Sequence, residues 1–214
     1  MIKFVPESAE LSNPIWGPYL RMLATELTRE RMRAALIARL VGISPREASA
    51  MYRAVHDSSP PSGLIPQATA SFYTTGRDSR DASAPQRNLH STLFLVVWRR
   101  LRLAVGEPRP HRGWLLLQAY RAYTVHADNY LDRDAALDIN RCYVLSNMSS
   151  DHAPEMAEVA LATCPKCHAP YLIETAKEQA TQHCPLCRLT MEHQRLASQS
   201  TDAARKRWAG RAGD

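Results

Sequence analysis

Apolar residues recur at helical spacing through most of the chain. Leu20, Leu23, Leu27, Leu36, Ile37 and Leu40 predict one long helix or two stacked ones over residues 15–41, and a further helix follows over 45–56. The run "SSPPSGLIP" at 58–66 then excludes helix through Pro60, Pro61, Gly63 and Pro66. The segment 57–86 is long for a loop without structure of its own, so part of it is expected to pack as an ordered wrap anchored by Leu64, Ile65, Phe72 and Tyr73. Within it, "GRDSRDASAPQ" at 76–86 reads as a solvent-exposed insertion. From 88 to 104, Leu89, Leu93, Val96, Val97, Leu101 and Ala104 form an apolar stripe that "GEPRPHRG" brings to an end, and helices are predicted over 114–126 and 134–148. No stretch alternates with period two clearly enough to predict a sheet, although "YLIET" at 171–175 suits one short strand. There is no internal repeat.

Charge adds a direction to this helical picture. Of the 27 basic residues 23 are Arg, and the net charge of +6 points to phosphate-bearing or acidic partners, because a guanidinium forks onto phosphate oxygens. A GC-rich genome that encodes Arg in place of Lys accounts for the Arg excess nearly as well. Residues 21–53 carry seven Arg against three Glu, and 87–121 carry seven Arg against one Glu. Residues 123–163 reverse the balance, with seven acidic residues and two Arg. Such a distribution suggests one surface for an anionic polymer and another for protein or solvent. "MIKFVPESAE" lacks an apolar run of signal-peptide length, and "LFLVVW" is far too short to cross a bilayer, so no membrane association and a cytoplasmic location are expected. In that compartment thiols stay reduced.

Four of the five cysteines, Cys164, Cys167, Cys184 and Cys187, form a C-x2-C-x16-C-x2-C array. Each C-x-x-C turn offers two sulfurs on one side, and Pro165 and Pro185 stiffen the turns. The spacing is that of a tetrahedral zinc site. A redox role would need a single pair at a helix start within a βαβ unit, and no such unit is predicted. Four thiolates close the shell, so one structural Zn2+ per chain is expected, with no position left for a catalytic water. His168, His183 and His193 are alternative ligands or ordinary surface residues, and Cys142, in a helical pattern, is expected in the core. The fold class is therefore mainly α: a multi-helix body with a small C-terminal four-cysteine zinc subdomain.

"AALIARLVGISPREASAMYRA", 34–54, reads as a candidate helix-turn-helix. Ala38 is small where helices cross, Gly42 makes the turn, and Ser44, Pro45 and Glu47 form a capping-box start. Ala48, Met51 and Tyr52 should face inward, and Arg46, Ser49, Ala50 and Arg53 outward, toward base edges and phosphates. A plain helical hairpin is the competing account. Arg99, Arg100 and Arg102 are further candidate DNA contacts, for phosphate neutralisation.

"SSPPSGLIP" at 58–66, "NLHSTLF" at 88–94 and the cysteine array, in this order, resemble the FlhC family, subunits of the bacterial flagellar master transcriptional activator. The resemblance runs from about Leu20 to about Leu189. It implies a mainly helical fold with a zinc site on Cys164, Cys167, Cys184 and Cys187. It also implies hetero-oligomeric assembly with FlhD-type subunits, binding to double-stranded promoter DNA and activation of class II flagellar promoters; RNA polymerase is a further candidate partner. The insertion near 76–86 and the thinned aromatic stretch at Phe72 and Tyr73 depart from the family pattern. The chain divides into N-terminal helices (1–56), the Pro-rich wrap (57–87), a helical core (88–160), the zinc subdomain (161–190) and a basic tail (191–214). The alternative function is a zinc-stabilised scaffold that supports a regulatory complex without reading DNA. No H-E-x-x-H, G-x-S-x-G or phosphate-loop pattern supports an enzyme.

Overall fold

The computed structural model describes residues 6–61, 69–74, 83–106, 109–149, 156–176, 184–191 and 194–195. The chain begins with three helices, α1 (Trp16–Arg29), α2 (Ala34–Val41) and α3 (Pro45–His56), that pack on one another. The predicted 15–41 helix is thus two. Arg31 adopts a left-handed φ of 60°, and the N–H groups of Arg31 and Met32 turn back to the carbonyls of Thr28 and Leu27. That closure usually employs Gly, so no residue type at this point announces it. Asn140, from a helix far along the chain, completes the turn: its Oδ1 accepts from Arg33 N at 2.8 Å and its Nδ2 donates to the Arg31 carbonyl at 3.3 Å.

A short helix, α4 (Ala70–Thr74), leads to α5 (Ala84–Val105), which is antiparallel to α6 (Arg112–Tyr130). A single 3-10 turn (Arg133–Ala135) precedes α7 (Ile139–Met148), so the helix predicted from 134 starts later, where Asp138 caps it by accepting from Arg141 N at 2.8 Å. Two strands, β1 (Val159–Thr163) and β2 (Pro170–Glu174), pair antiparallel in the register Val159↔Glu174 to Thr163↔Pro170. β2 covers most of the predicted strand; its partner β1 was not foreseen, because Ala160 and Ala162 are poor strand formers and both faces are apolar. Residues 185–191 are helical.

The core runs through α1, α2, α5, α6 and α7, with Leu20, Leu27, Ile37, Phe94, Leu95, Leu116, Tyr123, Ile139 and Leu145 buried. Arg121 of α6 ties to α1 through Glu26 at 2.7 Å and Glu30 at 2.8 Å. The Arg121 hydrogen bond holds Glu26 below its ordinary carboxylate range against the opposing effect of burial.

The stripe expected on α5 is not its buried face. Asn88, Ser91, Thr92, Leu95 and Trp98 are buried, Leu89, Leu93, Val96, Val97 and Leu101 are half-buried, Ala104 is exposed, and Leu103 is 84% exposed. Polar side chains line the interior because each finds a partner there. His90 Nδ1 meets the Tyr123 hydroxyl at 2.7 Å and Nε2 meets the Asp132 carbonyl at 2.7 Å, while the same hydroxyl accepts from Leu137 N at 2.9 Å. The carbonyl only accepts, so Nε2 carries the proton and the hydroxyl donates to Nδ1. Burial keeps His90 below its usual pKa.

The wrap is held at α4. Tyr73 is fully buried and donates to the Arg141 carbonyl at 2.9 Å, and the half-buried Phe72 ring lies under the guanidiniums of Arg87 and Arg141 at 4.8 and 5.0 Å. Leu64 and Ile65 lie outside the described residues. Of the insertion read as exposed, 76–82 lie outside them too, and 84–86 open α5 instead, with Ala84 and Pro85 buried.

Candidate metal centre and helix-turn-helix

Cys164 directly follows β1, and Cys167 sits in the turn to β2. Cys164 N donates to the Ala169 carbonyl at 3.0 Å and His168 N to the Cys164 carbonyl at 2.9 Å, with His168 at a left-handed φ of 59°. This tight loop brings both sulfurs to one side. Cys184 precedes the helical residues 185–191, Arg188 N donates to its carbonyl at 3.0 Å, and Cys187 N approaches its Sγ at 3.5 Å. The two turns meet: Cys164 and Cys187 Sγ are 4.0 Å apart, Cys167 and Cys184 Sγ 3.4 Å, and all four sulfurs lie within 4.8 Å of one another. A tetrahedral ion with metal–sulfur bonds of about 2.3 Å needs sulfurs about 3.8 Å apart, so the cluster is of a size to hold a metal ion.

The surroundings differ at each thiol. The N–H of Cys167 is the main influence lowering Cys164 to about 6, whereas burial pushes Cys184 up to about 12 and raises Cys187. Cys167 is exposed and the other three are buried. Tyr171 of β2 is buried in one cluster with Cys164, Cys184 and Cys187, a neighbour that the cysteine spacing alone does not name. His168 is exposed, and His183 and His193 lie outside the described residues. Cys142 is buried on α7, apart from the cluster, and burial holds its thiol well above the ordinary range.

The α2–α3 hairpin has the expected construction. Gly42 turns the chain at φ 83°, in the left-handed region that a side chain disfavours. Ser44 Oγ accepts from Glu47 N at 3.1 Å, and Pro45 opens α3. Glu47 differs from its expected part in a capping box: its carboxylate meets Arg21 of α1 at 3.3 Å. At the other end of α3, His56 Nε2 donates to the Thr28 carbonyl of α1 at 2.7 Å. Ala48 and Tyr52 are buried, Met51 and Ser49 half-buried, and Arg46, Ala50 and Arg53 exposed. Two guanidiniums therefore flank small side chains on one outward face. The α5 candidates are less uniform: Arg100 is exposed, Arg99 is half-buried, and the half-buried Arg102 lies over the Trp98 ring at 5.9 Å.

Residues 21–199 match the family described as Flagellar transcriptional activator (FlhC). The chain belongs to the FlhC family. Relatives named Flagellar transcriptional regulator FlhC include that of Variovorax paradoxus (strain S110), 23% identical over 78% of this chain and 73% of the relative. That of Proteus mirabilis is 23% identical over 77% and 76%. That of Cupriavidus metallidurans is 24% identical over 77% and 68%. The FlhC family consists of transcriptional regulators, and this member is a flagellar transcriptional activator. Among the described residues no helix is long and apolar enough to cross a membrane. The "NLHSTLF" motif that suggested FlhC turns out to supply buried bonds: Asn88, His90 and Thr92 join elements distant in sequence.

Proposed function

We propose that this FlhC-family chain is the DNA-binding subunit of a cytoplasmic hetero-oligomeric activator, assembled with FlhD-type subunits at class II flagellar promoters. In this reading α3 enters the major groove. Arg46 and Arg53 address base edges, Ser49 and Ala50 allow close approach, and Arg99, Arg100 and Arg102 address phosphates. The observation that carries it is the exposed Arg46–Ala50–Arg53 face on a capped helix packed against α1 and α2, in a family of transcriptional activators. One Zn2+ held by Cys164, Cys167, Cys184 and Cys187 stabilises the C-terminal region. Four thiolates suit that ion, and its closed shell leaves it no catalytic part. Contact with RNA polymerase completes activation.

A second reading has one observation of its own. Ile15, at the N-cap of α1, and Tyr19 and Met22 on α1 stand exposed at i, i+4 and i+7, which suits a three-helix unit docked on a protein partner instead of DNA. Fluorescence anisotropy on duplex promoter DNA, with and without the FlhD-type subunit, separates the two. DNA reading requires saturable promoter binding that weakens steeply as salt rises. Assembly with the partner and no DNA binding in any combination would leave the scaffold reading.

A further inference from the structure

The hairpin β1–β2 has two faces. Val159, Leu161 and Leu172 join the helical core, while Ala162, Tyr171 and Ile173 pack around the thiols. Beside this apolar packing and the Glu158 N–H donated to the Met148 carbonyl, a pair of polar side chains on α5 fastens it to the body. Asn88 Nδ2 donates to the Leu172 carbonyl and to the Thr74 carbonyl, both at 2.9 Å. Leu172 N donates to Thr92 Oγ1 at 3.0 Å and to Asn88 Oδ1 at 3.3 Å, and the Thr92 hydroxyl donates to Asn88 Oδ1 at 3.1 Å. Both Asn88 amide hydrogens are used and its oxygen accepts twice, which fixes the amide orientation. Asn88, Thr92 and Leu172 are all buried.

We propose that Asn88 and Thr92 are positioning residues for the metal centre, coupling its occupancy to α4 and the start of α5, although neither touches a ligand. The inference rests on the reading that the four thiols hold a metal. The physical reason is the pairing of buried polar groups. Were the hairpin to open, the Asn88 amide and Thr92 hydroxyl would lose their partners in a dry interior, and α4 would lose its neighbour on β2. Holding β2 in register holds Cys167 and Tyr171 where the second cysteine turn meets them. Linkage then works both ways: the clamp tightens metal binding, and bound metal stiffens α4 and the start of α5.

The test uses the full chain and zinc alone, with affinity measured by competition against a chromophoric chelator. Thr92→Val and Asn88→Ala should weaken zinc binding by about 10-fold, the low end of the loss expected when a direct hydrogen-bond partner of a metal ligand is removed, because these side chains bond Leu172 and reach the cysteines only through β2. Thr92→Ser keeps the hydroxyl and should restore wild-type affinity. Ile139→Val, a comparably mild core change on α7, serves as the stability control and should leave affinity unaltered. In the wild type, chelation should raise hydrogen exchange at 70–74 and 84–92 while 139–148 stays protected. A wild type that binds no metal would sink the metal reading itself. A wild type that binds zinc, beside a folded Thr92→Val protein that binds it equally well, would overturn the coupling alone. So would equal loss in Ile139→Val, or exchange at 70–74 indifferent to chelation.

Discussion

Tyr123→Phe is a one-atom deletion whose cost follows from the hydroxyl's position. The oxygen is fully buried, accepts from Leu137 N at 2.9 Å and meets His90 Nδ1 at 2.7 Å. Phe keeps the ring packing against Phe94 but strands a buried amide N–H and a buried imidazole nitrogen. Each orphaned group costs about 1–3 kcal/mol, so the variant should lose roughly 3 kcal/mol. For a chain of this size that lowers Tm by roughly 6–12 °C. Urea denaturation followed by circular dichroism gives the free energy, and the midpoint should move with an unchanged slope. His90→Leu removes one of the two orphans in advance, so Tyr123→Phe should cost about 1 kcal/mol less in that background. A single variant within about 0.5 kcal/mol of wild type, or strict additivity with His90→Leu, would refute the idea that this hydroxyl organises the α5–α6 interior.

Cys164→Ala or Cys184→Ala should abolish metal binding, measured by elemental analysis of the purified chain, while Cys142→Ala should keep it at some cost in core stability; metal loss in the Cys142 variant would mean a different ligand set. Burial holds both His90 and His111 below their usual pKa, so the unfolded chain binds more protons than the folded one at mildly acid pH. Their contribution is complete above about pH 6.5 and is lost as pH falls toward their depressed folded values, by up to about 1.4 kcal/mol per unit for each, which chemical denaturation from pH 7.5 to 5 should register. Arg46→Ala and Arg53→Ala should reduce promoter preference over random duplex by about 1–3 kcal/mol each, whereas Arg100→Ala should weaken both duplexes alike and flatten the salt dependence. Failed assembly with the partner in the Arg46 and Arg53 variants, with promoter preference intact in whatever assembles, would remove α3 from the DNA.

Signals confined to neighbouring residues were legible without the fold. The cysteine array could be read from spacing because each C-x-x-C closes its own tight turn within a few residues, and the two turns bring all four sulfurs together. The α3 start at Ser44-Pro45 and the Gly42 turn were equally plain, since capping and positive φ are properties of a few adjacent residues. Matters settled by partners far along the chain were not. The break after α1 falls on Arg31, where no residue type announced it, and Asn140 satisfies its open backbone groups from α7. The inward face of α5 was misjudged because Asn88, His90, Ser91 and Thr92 look like a solvent face by hydropathy. Ser91 bonds back to the Arg87 carbonyl of its own helix, but Asn88, His90 and Thr92 are buried because β2, α6 and the Asp132 carbonyl supply hydrogen bonds that a one-dimensional pattern cannot show. Burying a polar group is costly in isolation and acceptable when paired, so sequence could name the residues but only tertiary structure could decide which of them face inward.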